Sequence, residues 1–562
     1  MASTVLPFAF DLEKTADFDT LRPHLSKDLR EACERSPHLA EYLRRLPLDE
    51  AGIPAYYPKL TRSLSLLEKR NLIYPLEQGL YVHIYPDPAG ARDHYICIEP
   101  TTVADIEEPL ALVEERLIAW AEEIGRIEND DEKQGFLLQL IDNLCTTQRR
   151  NGSSRRSDKI HVTPEVLEGI RYRVLRDKIG LGVLQPLLLD PYIEDISCSG
   201  VGHVFVEHKI FKSVQSSIVF TTHDEVDDFV VWLGEWIKSP VTVRNPLVDS
   251  VLPDGSRINI VYGREISKRG SNFTIRKFSG TPTSVLELVE FGTLNYTMAS
   301  YLSFMLEEGL NLFVVGATAS GKTTTLNALN TFLKPDAKIV TIEDTPEVQA
   351  PHKNWVQEVA RPTGGGAKGS EVGMFELLRA ALRQRPDRII VGEIRSVEAV
   401  VAFQAMQTGH GVMSTFHADS VEKLIQRLTG DPINIPKTYI DNLHLAVIQG
   451  AVRLQDGKMA RRVLSINEII GYDPVSETFS FLEAFRWNPA TDTFDFPGYM
   501  NSYLLEQHIA IRRGIPPHKR KAIYDELKRR ARIFEKLHRE KGVTDFYEFF
   551  QILSEARRQN LL

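Results

Sequence analysis

Residues 311–329, NLFVVGATASGKTTTLNAL, decide the fold of this 562-residue chain. An apolar strand pattern leads into Gly316-Ala-Thr-Ala-Ser-Gly321-Lys322-Thr323, and a helical pattern follows it. This arrangement predicts a phosphate loop, because the glycines let backbone N–H groups turn toward phosphate oxygens while the helix presents the positive end of its dipole. Lys322 is expected to reach the β- and γ-phosphates, and the Thr323 hydroxyl to bind Mg²⁺. The predicted nucleotide-binding residues are Gly316, Ala317, Thr318, Ala319, Ser320, Gly321, Lys322, Thr323 and Thr324.

Three further segments place chemically useful side chains at strand ends. KIVTIEDTPEV ends a strand in Glu343 and Asp344, RIIVGEIR ends one in Glu393, and TGHGVMSTFHADS offers His410 and His417. Ligands of parallel sheets bind beyond the carboxyl ends of the strands, so these side chains are expected near the phosphate loop. Glu393 is predicted to hold Mg²⁺, directly or through water, and a histidine to touch the γ-phosphate.

The same residues have plainer interpretations. Glu343 and Asp344 would suit the first turn of a helix, Glu393 could be a surface side chain after a buried strand, and each histidine could be structural. The histidine spacing, without cysteines or a third histidine, is not that of a zinc site, so no zinc is expected.

The strand-and-helix pattern divides the chain into five predicted ranges. From residue 311, apolar strands alternate with helices, which predicts an α/β domain with a mostly parallel sheet. Before it, short strands and one helix between residues 193 and 278 predict a sheet with helices on one side. The predicted ranges are a small α+β module at 1–100, an acidic helical segment and basic linker at 101–160, an α+β domain at 161–280, the P-loop core at 281–505, and a basic helical tail at 506–562.

Composition excludes several classes of protein. The net charge of −9 excludes a global basic field for nucleic acid, and no nucleic-acid partner is expected. Four cysteines without a CxxC pair argue against a disulfide scaffold and suit a reducing cytosol. No apolar run reaches the roughly 18–20 residues of a membrane span, and the N-terminus lacks the pattern of a secretory signal.

The charge is unevenly distributed. Residues 105–132 carry eleven acids against two arginines, and residues 512–541 carry twelve Lys/Arg against four acids. Each stretch suits either a solvated helix face or a surface that contacts a partner. The basic stretch suits peripheral membrane contact, and the acidic region suits a regulator.

The four motifs GATASGKT, TIEDTPEV, RIIVGEIR and TGHGVMSTFHADS together resemble the secretion ATPase superfamily, the motors of type II and type IV secretion, type IV pili and archaella. DPYIEDISCSG, LPDGSRINI and SNFTIRKF resemble the domain that precedes the motor in that family, so the resemblance covers about residues 165–490. Thr345 stands where bacterial pilus and type II enzymes usually have proline, and Arg385 where they usually have aspartate. With FTIRKF, the ending FRWNPATDTFDFPGYM and the lack of a cysteine-rich insertion, the chain resembles the archaeal branch, although tight-adherence and conjugation relatives share part of this pattern.

The resemblance implies a RecA-like P-loop motor core, preceded by a PAS-like sheet with helices and by a mainly helical or mixed N-terminal region. It gives Lys322 and Thr323 the Walker A roles, has Glu343 activate the attacking water and Glu393 order Mg²⁺, and makes His410 and His417 a histidine-box pair. Arginines of the preceding domain would supply charge at a subunit interface. Arg257 and Arg276 fit by position, Arg379 and Arg383, one helical turn apart, are second choices, and all four could instead be surface residues.

The resemblance also implies an ATP- and Mg²⁺-dependent homohexamer in the cytoplasm, bound at the inner face of the membrane to a polytopic platform protein. Its work would be the assembly or rotation of an archaeal filament, an archaellum or a pilus. Residues 279–284, with Gly280 and Pro282, are expected to form a hinge. Alternatives are a type II/IV secretion or tight-adherence pilus ATPase, a DNA-translocating P-loop motor, a small-molecule kinase, and a scaffold that binds ATP with negligible hydrolysis.

Overall fold

The chain forms two compact units, Met1–Ser279 and Gly280–Leu562. The computed structural model describes residues 3–8, 21–48, 52–61, 64–65, 67, 69–87, 92–102, 105–147, 159–278, 281–360, 372–455, 457–559 and 561. Most of the predicted linker at 149–160 and the first two residues of the predicted hinge at 279–284 lie outside these ranges. The five predicted sequence ranges remain a prediction as domains.

The first unit combines strands with short helices. Its described strands are β1 (Ser3–Thr4), β2 (Ala55–Tyr56), β3 (Leu72–Pro75), β4 (Tyr81–Tyr85), β5 (His94–Ile98), β6 (Cys145–Thr146), β7 (Ile160–His161), β8 (Ile193–Cys198), β9 (Gly202–His208), β10 (Lys212–Phe220), β11 (Leu247–Val251), β12 (Arg257–Val261) and β13 (Asn272–Arg276). Its described helices are α1 (Lys27–Arg35), α2 (Pro37–Arg45), α3 (Glu107–Leu117), α4 (Ala121–Arg126), α5 (Asp130–Leu144), α6 (Pro164–Lys178), α7 (Gln185–Leu189) and α8 (His223–Trp236).

One sheet of eleven described strands runs through this unit, in the order β11-β12-β13-β8-β9-β10-β5-β4-β3-β2 with β1 beside β10. Strand β10 is nine residues long, so one edge has room for two partners. Gln215 pairs with His94 of β5 in parallel, and Val219 pairs with Ser3 of β1 antiparallel. Strands from the predicted ranges 1–100 and 161–280 therefore belong to the same sheet.

A buried hydrogen-bond chain crosses the same junction. Tyr74 and Tyr95 both donate through their hydroxyls to Asp190 Oδ2, at 2.5 and 2.8 Å. His208 Nδ1 accepts backbone N–H groups, so its Nε2–H donates to the Tyr74 hydroxyl at 3.3 Å. Burial raises the pKa of Asp190 and lowers the pKa of His208 to about 3. These polar groups stabilise the junction as long as the histidine stays neutral.

The second unit contains the phosphate loop. Its described strands are β14 (Leu312–Gly316), β15 (Ile339–Glu343), β16 (Trp355–Val359), β17 (Arg388–Ile394), β18 (Gly411–Phe416), β19 (Leu445–Arg453), β20 (Met459–Asp473), β21 (Thr478–Asn488) and β22 (Thr493–Asp495). Its described α-helices are α9 (Val285–Glu290), α10 (Tyr296–Glu307), α11 (Lys322–Leu329), α12 (Met374–Ala381), α13 (Glu398–Gln407), α14 (Val421–Thr429), α15 (Ala510–Arg512), α16 (Ile523–Arg539) and α17 (Phe546–Arg558).

The nine described strands of this unit form a sheet in the order β16-β15-β17-β18-β14-β19-β20-β21-β22. The strands from β16 to β19 pair in parallel, and β20 to β22 continue antiparallel. Alternate residues of β14 enter opposite cores: Leu312 and Val314 pack with α10 and α11, and Phe313 and Val315 with α13 and α14. Helices thus cover both faces, which confirms the predicted α/β core.

The C-terminal helices complete one of these cores. Ile523, Leu527, Phe534 and Phe549 are buried in the cluster that includes α10. Glu307 of α10 accepts hydrogen bonds from Arg530 and Arg557, each at 2.7 Å. Part of the predicted basic tail therefore points inward. Among the described residues, no helix is long and apolar enough to cross a membrane.

The buried histidines predict that acid destabilises the first unit. Burial lowers the pKa of His83 to about 3, and its ring accepts from Tyr42 and donates to Asn71. Since an unfolded histidine titrates near 6.5, the unfolded chain binds more protons between about pH 6.5 and 3, and stability falls as the pH falls through that window. At pH 5, His83 alone accounts for about 2 kcal/mol. Urea unfolding at pH 7 and pH 5 should show a smaller pH effect in His83→Gln than in the wild type. The exposed control His518→Gln should match the wild type, and an equal pH effect in all three proteins would contradict the prediction.

Candidate functional site

The phosphate loop is shaped by glycine and by close packing. It joins the end of β14 at Gly316 to the start of α11 at Lys322. A Cβ on Gly316 would stand 2.3 Å from the Gln449 carbonyl oxygen, so only glycine fits there. Gly321 has φ +93° and Ala319 φ +60°, and this second value is unusual for a residue with a side chain. The chain turns sharply here and leaves the first N–H groups of α11 without a side-chain cap.

Lys322 is a buried cation at the centre of the site. Its Nζ donates to the Ala317 carbonyl at 3.0 Å and lies 3.4 Å from His417 Nε2. Burial lowers the pKa of Lys322, while the carboxylate of Glu393 opposes this shift. Two buried hydroxyls nearby in sequence, Ser320 Oγ and Thr325 Oγ1, have no hydrogen-bond partner. Unsatisfied polar groups, free helix N–H groups and a lysine together fit an anion such as a nucleotide phosphate.

Glu393 and His417 lie beside this lysine, as the sequence predicts. His417 Nε2 is 2.7 Å from Glu393 Oε1. Because an ionised carboxylate can only accept, Nε2 carries the proton in this contact and its lone pair is not available to Lys322. Burial lowers the pKa of His417, against the effect of Glu393. The histidine therefore links the lysine to the carboxylate as a neutral ring.

Arg395 is a member of this cluster that the sequence analysis missed. Its Nε donates to Glu393 Oε2 at 2.7 Å, and one of its terminal nitrogens is 3.6 Å from Asp344 Oδ2. Arg395 follows Glu393 by two residues, so the strand period gave a signal that both lie on one face. Lys322, His417, Glu393, Arg395 and Asp344 form a chain of alternating basic and acidic groups.

Glu343 is close to the site but engaged with the backbone. It is 2% exposed, and its Oε1 accepts N–H bonds from Glu347 at 2.8 Å and Val348 at 2.7 Å. Burial raises its pKa to about 7, although these bonds work against that shift. A Cβ on Gly392 would come 3.0 Å from Glu343 Cγ, so the glycine makes room for this side chain. Its Oε2, which has one long contact at 3.4 Å with Gln357, is the atom left to take a proton.

His410 is not brought to the cluster. Strand β18 separates the two histidines, with His410 before its first residue and His417 after its last. Since β18 is parallel to β14, only His417 lies at the sheet edge that carries the phosphate loop. Seven residues of extended chain span roughly 20 Å, which places His410 at the opposite edge, where Thr408 contacts its ring at 3.0 Å. A pair of histidines at one site in the same chain is therefore wrong.

The four candidate arginines lie in surface positions. Arg257 and Arg276 are cross-strand neighbours, and they pair with Asp249 at 2.7 Å and Asp195 at 3.5 Å. Their role at a subunit interface stays a prediction. Arg379 packs over Phe375, but α12 ends at Ala381, so Arg383 is not on the same helix as the sequence predicts.

The donors present fit Mg²⁺ when a nucleotide contributes oxygens. Among the described residues, no group of three or more His, Cys, Asp or Glu side chains is arranged to hold a metal. Thr323, the first residue after Lys322, and the carboxylate of Glu393 are the kinds of oxygen ligand that Mg²⁺ takes together with substrate phosphates.

A second missed arginine supports the phosphate loop from outside. Arg461 of β20 donates through Nε to the Ala319 carbonyl at 3.2 Å. Its Cδ would stand 3.1 Å from a Cβ on Gly321, and Gln449 Nε2 would stand 2.9 Å from it. No sequence signal reveals this contact, because it joins residues 142 positions apart through the order of strands β14, β19 and β20.

Comparison with known proteins identifies relatives of the whole chain and of its core. The family described as "Type II/IV secretion system protein" matches residues 177–468. The uncharacterized protein MJ0900 of Methanocaldococcus jannaschii is 44% identical over 537 residues, which are 94% of this chain and 96% of that protein. The type IV secretion system protein VirB11 of Bartonella henselae is 32% identical over 232 residues, 35% of this chain and 64% of VirB11. The solved ATPase DotB of Legionella pneumophila aligns with 68% of this chain and 95% of its own, at 17% identity and a TM-score of 0.39, a similarity too weak to carry a conclusion.

The contact of Arg461 with the phosphate loop predicts a role in nucleotide affinity. Arg461→Ala removes the donor to the Ala319 carbonyl, and we expect about 10-fold weaker binding of a fluorescent ADP analogue. Arg461→Gln and Arg461→Lys each keep a donor and should recover part of the affinity. Arg453→Ala, which removes a neighbouring exposed arginine bonded to the Gly457 carbonyl, is the control. Recovery by lysine alone would show that the charge acts on the ligand directly and that loop support is the wrong explanation.

Proposed function

The chain belongs to the type II/IV secretion system protein family, and from that premise we propose that it is a motor that hydrolyses ATP. The observation that carries the proposal is the position of Lys322, His417 and Glu393 at the sheet edge where β14 opens into the phosphate loop. A phosphate-binding loop alone would suit a kinase or a scaffold. The added carboxylate and imidazole supply groups that hydrolysis of a phosphoanhydride requires.

The residues divide the chemistry between them. The loop N–H groups and Lys322 bind the phosphates and neutralise charge that develops during transfer. Mg²⁺, held by Thr323 and Glu393, would bridge phosphate oxygens and withdraw charge from them. Glu343 is proposed to accept the proton of the attacking water, and its pKa of about 7 is suited to a base at neutral pH. His417 holds Glu393 in place through its Nε2–H and faces the γ-phosphate side through Lys322.

The proposal extends to assembly and location. We propose a homohexamer in which Arg257 and Arg276 of one subunit reach the nucleotide of its neighbour. The motor would act in the cytoplasm on a polytopic membrane platform protein and would power an archaeal filament, an archaellum or a pilus. The 94% coverage by a Methanocaldococcus jannaschii protein supports an archaeal role. The match to VirB11 supports a second candidate, a type IV secretion ATPase.

Loss of Lys322 tests the activity itself. Lys322→Ala should reduce phosphate release from ATP at least about 100-fold, because it removes a buried charge from the phosphate site. Lys334→Ala, a change at an exposed lysine of the same unit, should leave the rate unchanged. Full activity in Lys322→Ala would exclude the proposed site.

The two carboxylates are separated by matched amide substitutions. Glu343→Gln preserves an acceptor for the N–H groups of Glu347 and Val348, so nucleotide binding should stay within about twofold of the wild type while turnover stops. Glu393→Gln should instead raise the Mg²⁺ concentration needed for nucleotide binding. Loss of binding in Glu343→Gln would assign this residue to the local fold and not to the chemistry.

The exposed face of α16 tests the proposed membrane contact. Arg529, Arg532 and Lys536 are exposed at helical spacing, and they form no ion pair within the described part of the chain. Full-length protein should sediment with phosphatidylserine vesicles at low salt and not at high salt. Arg529→Glu/Arg532→Glu should weaken this binding at least about 10-fold, whereas Arg264→Glu/Lys268→Glu in the first unit should not. Equal binding of both variants would contradict the membrane contact.

A further inference from the structure

The acidic helices of the first unit carry an apolar groove. Helix α3 ends in a short turn, Ile118–Trp120, and α4 and α5 follow it. Between this turn and α5 lies a cleft of about 240 Å³. The Trp120 and Phe136 rings meet edge to face there, 6.3 Å apart. The residues that line the cleft are Trp120, Phe136, Gln139, Leu140, Asn143 and Leu144.

Large apolar side chains beside the cleft remain in solvent. Ile118 is 72% exposed, Leu112 43% and Trp120 41%, all within nine residues of sequence. Single exposed apolar residues are common on protein surfaces and need no explanation. Three of them next to an apolar cleft form a continuous surface, which is typical of a binding site for another molecule.

The same segment has a strong negative charge. Residues 105–132 have a net charge of −9, equal to that of the entire chain. Glu122 and Glu123 directly follow the turn that carries Trp120. Glu115, Glu123 and Glu128 are exposed and form no ion pair within the described residues. The groove therefore combines an apolar floor with an acidic surround.

We propose that this groove binds a basic amphipathic helix of another protein. The apolar side of such a helix would cover Trp120 and Phe136, and its lysines and arginines would face the surrounding glutamates. This deepens the proposed function, on which the source of the helix rests, because the cytoplasmic loops of polytopic membrane proteins are rich in lysine and arginine. The groove is then where the motor recognises its membrane platform.

A second copy of this chain is a poorer occupant. Its basic helix α16 has the required charge, but its apolar residues Tyr524, Leu527 and Phe534 are already buried in its own core. It can offer charge to the acidic surround and no apolar side to the cleft. The chemistry of the groove thus favours a different protein.

The test uses full-length protein and a fluorescein-labelled helical peptide of about 18 leucine and lysine residues. Anisotropy should show micromolar binding that weakens with salt, and a matched peptide of leucine and glutamate should not bind. Trp120→Ser removes part of the floor, and Asn143→Trp fills the cleft from an exposed position. Each should weaken binding of the basic peptide about 10-fold. Val475→Ser, at a 94% exposed apolar residue elsewhere, should have no effect.

A second pair of variants separates specific charge from general attraction. Glu122→Gln/Glu123→Gln should weaken binding several-fold, while Glu540→Gln/Glu548→Gln, which removes two exposed charges of the second unit, should not. Equal affinities across all variants, or equal binding of the acidic peptide, would overturn the proposal. A change in oligomeric state of Trp120→Ser by light scattering would assign the groove to a second copy and overturn it as well. Since the assay contains no ATP, loss of peptide binding in a protein that hydrolyses ATP rejects this inference alone.

Discussion

The site depends on the parallel pairing of β14 with β18 on one side and β19 on the other. Val315 pairs with Phe416, and Gly316 pairs with Gln449, so the chain segments that leave these strands emerge at one edge. This register places His417 beside Lys322 and presses Gln449 against the phosphate loop. A one-residue slip would turn the side chains of β14 into the opposite cores and remove the glycine from the only position where it fits.

The same register explains what the sequence can and cannot predict. Lys322, Glu393 and His417 were predictable because each lies at the end of an apolar strand, and parallel strands end together. His410 failed because a strand of six residues lies between it and His417. Arg461 and the pairing of β10 with β5 join distant parts of the chain, and no local pattern encodes them. Arg395 had a local signal in the strand period, and only the structure shows that its partners are Glu393 and Asp344.

The charge distribution became interpretable only with burial. Twelve basic residues between 512 and 541 suggested one basic surface, yet Arg530 is buried against Glu307 and Phe304. Such a buried pair fixes α16 on α10, and the residues left outside form a narrower face than composition indicated. In the acidic segment the opposite holds. Leu110, Val113 and Leu117 anchor α3 in a small core, and most of its acids remain exposed.

The electrostatics of the site explain why burial and function are compatible there. Lys322 and His417 both have lowered pKa values because they are removed from water, and Glu393 is the negative group that opposes this effect on each of them. A phosphate beside Lys322 would supply more negative charge than one carboxylate and would raise the lysine pKa again. Glu393, which also holds Arg395 and His417, would then be less needed by the lysine and freer to bind a cation. The alternating order of basic and acidic groups thus lets the arrival of one anion redistribute contacts along the chain from Lys322 to Asp344.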